Sequence, residues 1–175
     1  LGDVYKRQKF STPNVIIAGG VGSFEPRKFN PKECEKFENN SVLYSVKDKS
    51  VFKGKTVSIF GGGDSAIDWA LELSKDSKVN LIHRRDEFRG AQLNVNKVHD
   101  LNKSGKIKLF TKYQLKTVNG ADNLESIEIE SDDKDIKKLD TDYFLGFFGL
   151  IMKLGPIADW GLNIDKKTIP VDLSL

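Results

Sequence analysis

The chain has 175 residues, with 28 Lys and Arg against 25 Asp and Glu for a formal charge of +3, and a single cysteine. Charge this balanced gives no argument for nucleic-acid or membrane-surface binding. One cysteine excludes a disulfide framework, a CxxC pair or a cysteine metal site within the chain. No apolar stretch approaches the ~20 residues of a membrane-spanning helix, and a reducing, cytoplasmic setting is the default expectation.

Residues 3–8, DVYKRQ, resemble a transposon mosaic-end adapter translated in one frame, and 173–175, LSL, match the same adapter on the other strand. Residues 1–8 and 173–175 are therefore read as adapter-derived scars and set outside the fold. The remaining segment, 9–172, is expected to be the interior of a longer protein, with one domain and pieces of a neighbour.

In chain order, NVIIA (14–18) predicts a short buried strand that runs into the breakers Gly19, Gly20, Gly22 and Pro26. Residues 30–55 are polar and irregular, which predicts an inter-domain connection. TVSIF (56–60) predicts a strand and 64–75 a helix, with Ala66, Ile67, Ala70 and Leu71 on its apolar face. VNLIH (79–83) predicts a second strand and 91–104 a second helix, closed by Gly105. From 106 onward KIKLFT, YQLKTV, LESIEIE and KKLDTDYFL alternate, with a turn at Asn119-Gly120, and predict an antiparallel meander. FLGFFGL (144–150) reads as a buried strand leading back to the first domain. The fold class expected is α/β: a Rossmann-like domain with a parallel sheet, helices and an antiparallel hairpin flap.

The chemistry concentrates where the first of these strands meets its helix. Gly61-x-Gly63-x-x-Ala66 follows a strand and opens a helix, as a dinucleotide fingerprint requires. Gly61 permits the tight turn, Gly63 lets backbone approach a pyrophosphate, and Ala66 allows close helix–strand packing. The first-turn amides, unpaired within the helix, face the phosphates at the positive end of the dipole.

The next strand ends in HRRDEFR, with His83 22 residues after Gly61. An NAD site places an acid about 20 positions on, where it accepts from the ribose hydroxyls. Here His83, Arg84, Arg85 and Arg89 suit a dianionic 2′-phosphate, which guanidinium binds through paired, charge-assisted bonds. The cofactor read from this cluster is NADP(H), although Asp86 and Glu87 follow closely and leave the opposite preference open. His99 has no second ligand at metal spacing and reads as a surface histidine, and Cys34 as incidental; no metal site is expected.

GxGxxA followed by HRRxxxR resembles the pyridine-nucleotide domain of the thioredoxin-reductase-like flavoproteins. Within that group GGGDSAIDWAL, LIHRRDEFRGA and IADWGL are similar to the thioredoxin-reductase-type ferredoxin (or flavodoxin)–NADP reductases, and VIIAGGVGSFEPRK and IPVD fit the same family. The resemblance implies an NADP(H)-binding domain over 53–150. Residues 9–52 would hold the end of an FAD-binding domain and its connection, and 151–172 the return toward it.

The activity implied is hydride transfer between NADP(H) and FAD, with single electrons passed to or from ferredoxin or flavodoxin, in a homodimer. Gly61, Gly63, Asp64, Ser65 and Ala66 would frame the pyrophosphate and His83, Arg84, Arg85 and Arg89 would hold the 2′-phosphate. Asp68 would lie on the nicotinamide side, and Gly19, Gly20 and Gly22 at the flavin hand-over. No residue is assigned a catalytic role. The chain alone is expected to bind NADPH weakly, to hold no FAD and to be inactive. Two alternatives stand beside this reading. One is a thioredoxin-reductase-like disulfide reductase, disfavoured because 42–57 carries no cysteine; the other is a non-catalytic NADP-sensing module.

Overall fold

A computed structural model of the chain describes residues 10–20, 23–28, 32–165 and 168–171. Residues 1–8 and 173–175 and Gly22 lie outside the described residues. Two compact units emerge, one spanning Pro26–Ile151 and the other built from the chain before and after it.

The described strands are β1 (Ser23–Pro26), β2 (Val42–Leu43), β3 (Thr56–Phe60), β4 (Lys78–His83), β5 (Ile107–Thr111), β6 (Tyr113–Asn119), β7 (Ser126–Ser131), β8 (Ile136–Asp140), β9 (Tyr143–Gly146) and β10 (Leu150–Lys153). Helix α1 covers Asp64–Leu73 and α2 covers Gln92–Lys103. Neither is long and apolar enough to cross a membrane. Five strands in the order β2-β9-β3-β4-β5 make a parallel sheet. β6-β7-β8 make an antiparallel sheet, with a register shift between Leu115 and Thr117. β1 and β10 form a two-stranded ribbon.

Period-two side-chain alternation explains the layering. Val57 and Ile59 of β3, Leu81 of β4 and Leu145 of β9 pack against Ile67, Ala70 and Leu73 of α1 and Val95 and Val98 of α2. The alternate positions, Phe60, Ile82 and Phe144, pack against Leu115, Val118, Ile127 and Ile129 of the antiparallel sheet. Helices thus cover one face of the parallel sheet and the meander covers the other. On that second face Ser58, Asn80 and Thr141 are buried but bonded: Asn80 Nδ2 donates to Ser58 Oγ at 3.1 Å, and Ser58 Oγ lies 2.8 Å from Thr141 Oγ1.

The α/β expectation holds, and several local expectations do not. NVIIA forms no strand, and Ile16 is 93% exposed; a strand needs an edge, and no described strand pairs with this run. KIKLFT is not part of the meander but β5, parallel to β4, because α2 returns the chain in the same direction. KKLDTDYFL divides at Thr141-Asp142 into β8 of the antiparallel sheet and β9 of the parallel one. FLGFFGL leaves strand geometry after Gly146. The segment 30–55 contributes to the core: Cys34, Phe37, Val42 and Phe52 are buried, and β2 extends the parallel sheet beside β9. These residues belong to the compact unit Pro26–Ile151. Burial also pushes the Cys34 thiol up to about 11, with Glu33 and Glu38 adding to the shift.

Candidate functional site

Sheet topology decides where a site can form. From β3 the chain winds through α1 to β4 and through α2 to β5 on one side, then arrives as β9 on the other side of β3. The crevice at the carboxyl ends of β3 and β9 is therefore a switch point, where open α/β sheets bind ligands.

The glycine turn crosses that crevice. Gly61 donates its backbone N–H to the Ile82 carbonyl at 3.1 Å, and Phe147 N–H donates to the Phe60 carbonyl at 2.8 Å. Gly61 has φ +153°, and a Cβ there would sit 2.7 Å from the Phe147 carbonyl oxygen and 2.8 Å from Ala66 Cβ. A Cβ at Gly62 would fall 2.2 Å from His83 Cε1. At Gly63, the extended residue that opens α1, a Cβ would meet nothing within 4 Å. The turn is packed shut at its first two glycines and open at the third, beside the helix N-terminus.

Beyond β4 the chain loops back over this turn. Arg89 N–H donates to the Gly62 carbonyl at 2.7 Å. The half-buried His83 ring lies against Phe88, with centroids 5.1 Å apart and planes 27° apart. Its Nε2 is 3.1 Å from the Glu87 carbonyl oxygen; a carbonyl only accepts, so Nε2 carries the hydrogen. Burial holds the His83 pKa below its ordinary value of 6.5. The positive charges of Arg85, Arg84 and Arg89 add to this, and the bond to Glu87 opposes it. Asp86 is turned to Lys112 in an exposed ion pair at 2.7 Å.

Together these elements bound a cavity of about 470 Å³, within the range of sites that hold small molecules and cofactors. Its floor is Gly61, Gly62 and Gly63, and His83, Arg84, Arg85 and Arg89 form one wall. Arg27 and Lys28 face it from the start of the unit, Tyr113 and Gln114 from β6, and Phe147 and Phe148 from the segment after β9. Five Lys or Arg and no Asp or Glu line it among the described residues. The charge of Lys28 is offset by Glu38 at 2.5 Å. Low-dielectric walls with one sign of charge focus an anion-attracting field.

Gly61, Gly63, His83, Arg84, Arg85 and Arg89 are thus brought together. Asp64, Ser65 and Ala66 start α1 but do not line the cavity, and Ala66 is buried behind the turn. Asp68 also stands outside it and accepts from Asn94 Nδ2 of α2 at 2.9 Å. Gly19 and Gly20 belong to the other unit, where Gly20 has φ +54° and a Cβ at Gly19 would lie 3.2 Å from Ile157 Cδ1. Sequence reasoning missed Gly62, Arg27, Lys28, Tyr113, Gln114, Phe147 and Phe148. The segment after β9 was findable, since the strand-end rule applies to every parallel strand; Arg27 carries no local signal. No cluster of three or more His, Cys, Asp or Glu that could hold a metal occurs among the described residues.

A family model described as pyridine nucleotide-disulphide oxidoreductase matches residues 5–172. The chain belongs to this family. Among pyridine nucleotide-disulphide oxidoreductase relatives, a ferredoxin–NADP reductase of Pelagibacter ubique is 70% identical over 167 residues, covering 95% of this chain and 49% of that protein. One of Flavobacterium johnsoniae is 48% identical over 171 residues, covering 97% and 49%. Among solved structures, T. acidophilum thioredoxin reductase superposes with TM-score 0.73 at 21% identity, over 83% of this chain and 48% of that one. Streptococcus pyogenes thioredoxin reductase gives 0.71 at 21%, over 86% and 50%; at such identity these likenesses speak for the fold. The chain spans about half the length of the curated relatives it matches.

Proposed function

We propose that this chain is the NADP(H)-binding part of an FAD-dependent ferredoxin–NADP reductase, with the coenzyme bound on the unit Pro26–Ile151. The observation that carries the reading is the cavity at the switch point. A glycine turn opens toward a helix N-terminus, and five cations without a carboxylate surround it among the described residues. In this reading the first-turn amides at Gly63, Asp64 and Ser65 receive the pyrophosphate, with Gly61 and Ala66 shaping the turn. Arg84, Arg85, Arg89 and His83 receive the 2′-phosphate. The pairing of Asp86 with Lys112 supports this choice of coenzyme, because it turns the nearest acid of the run toward a lysine. Asp68 serves the contact between α1 and α2.

Conversion of a hydride's electron pair into single electrons is the chemistry that a bound FAD would supply. This chain's own part is to bind and orient the nicotinamide coenzyme; Gly19 and Gly20 would stand at the flavin hand-over. The acceptor is ferredoxin or flavodoxin, and the whole protein is a homodimer in a reducing, cytoplasmic setting, which the sole cysteine suits. NADPH and NADH affinities of wild type and Arg84→Ala test the assignment. Losing charge-assisted hydrogen bonds of about 1.5–3 kcal/mol weakens NADPH roughly ten- to a hundredfold and leaves NADH nearly untouched. Equal weakening of both overturns the 2′-phosphate site.

A further inference from the structure

We infer that the Asp64 side chain has a positioning role: its carboxylate clamps the arginine loop, residues 84–91, onto the glycine turn, and so sets coenzyme choice through the arginines, while only the backbone N–H of Asp64 faces the coenzyme. The inference rests on the 2′-phosphate reading above. A carboxylate on the first turn of α1 complements the helix dipole, yet beside a pyrophosphate its charge opposes binding. The geometry gives it a different employment. Asp64 Oδ1 accepts the backbone N–H of Ala91 at 2.8 Å. Two residues earlier on each side, Arg89 N–H donates to the Gly62 carbonyl at 2.7 Å. Between these bonds Gly90 lies so close to α1 that a Cβ would come 2.4 Å from Ile67 Cδ1 and 3.1 Å from Asp64 Oδ1. One turn further along α1, Asp68 Oδ1 accepts from Asn94 Nδ2 at 2.9 Å, tying down the start of α2 beyond the loop.

Arg84, Arg85, Asp86 and Glu87 are exposed; besides this seam and the His83 and Phe88 rings, the loop is held by Lys112, whose backbone N–H donates to the Arg85 carbonyl at 3.4 Å and whose ammonium pairs with Asp86 at 2.7 Å. A loop ordered before the ligand arrives spares binding the ordering entropy. Loosening it penalises the coenzyme that uses the arginines more than the one that does not. Asn at 64 keeps an oxygen acceptor at the same place; Ala does not.

The test measures NADPH and NADH affinities of the intact chain as wild type, Asp64→Asn and Asp64→Ala. The expected result is that the NADPH-over-NADH preference falls about tenfold in Asp64→Ala and is retained in Asp64→Asn. An unchanged preference in Asp64→Ala overturns the inference, as does an Asn variant that behaves like Ala. Should Asp64→Ala fail to fold, amide exchange of the coenzyme-free wild type decides. The Ala91 amide is expected to be protected, and exchange at the rate of an unstructured peptide overturns the clamp. Failure of the underlying reading looks different: wild type would then show no NADPH preference to lose.

Discussion

Gly62→Ala puts one methyl group where the structure has no room for it. The position is not in the left-handed backbone region, so alanine is excluded by what it meets and not by φ. Its Cβ would lie 2.2, 2.4 and 2.5 Å from Cε1, Nε2 and Nδ1 of His83. The backbone of the turn is held by Arg89 N–H on the Gly62 carbonyl and by Gly61 N–H on the Ile82 carbonyl, so the ring is the part that moves. Moving it breaks the bond from Nε2 to the Glu87 carbonyl, about 1 kcal/mol. It also breaks the stacking on Phe88, about another 1 kcal/mol. A loss of about 2 kcal/mol lowers the melting temperature of a chain this size by roughly 4–8 °C.

The same displacement drags the arginine loop, so NADPH affinity should fall with stability. A double-mutant cycle isolates the cause. In a His83→Ala background the clash is gone, and Gly62→Ala should then change the melting temperature little. A cost for Gly62→Ala that is the same in both backgrounds refutes the argument.

Two further outcomes follow from buried polar groups. His83 has its folded pKa depressed below 6.5, chiefly by burial. Its neutral form is the stabilised one, so that stabilisation is complete above the unfolded value and is lost as pH falls through the folded one. Thermal melts between pH 7.5 and 5 should show a decline below 6.5 that His83→Ala flattens, and an NMR titration should place the His83 midpoint below 6.5; a midpoint above it contradicts the burial argument. Ser58→Ala leaves the buried Asn80 amide without its acceptor and Thr141 Oγ1 without its neighbour. Urea unfolding should register a loss of about 1–3 kcal/mol, and a neutral substitution would mean that water or a rearranged Asn80 takes the place of the hydroxyl.

Much of the site was legible because it is local. The order of strand, glycine turn, helix and strand over residues 56–83 is written in apolar periodicity and breakers, and β3, α1 and β4 fall within a residue or two of where those place them. β5 was misassigned because parallel and antiparallel ladders share the period of two, and Ile107 and Leu109 alternate equally well in either. β2 is two residues long and offers no period at all; its place comes from pairing Val42 with Phe144 and Leu43 with Leu145, about a hundred residues on. Arg27 joins the cavity by the same kind of long-range closure, its backbone N–H bonded to the Gly149 carbonyl at 3.1 Å.

The run of three glycines shows where motif reasoning stops and packing takes over. As a fingerprint, the first glycine serves the turn and the third serves the ligand, and the middle position is free. In this fold the middle position is as constrained as the first, because β4 ends in a histidine whose ring lies across it. Gly61 answers to β9 and α1 through Phe147 and Ala66, and Gly62 answers to β4 through His83, while Gly63 faces open space. A side chain at Gly61 would separate the turn from the sheet, and one at Gly62 would separate it from the arginine loop. Only the third glycine is left for a ligand to require. Its substitution should accordingly weaken coenzyme binding with little effect on the fold, whereas changes at the first two should lose stability and binding together.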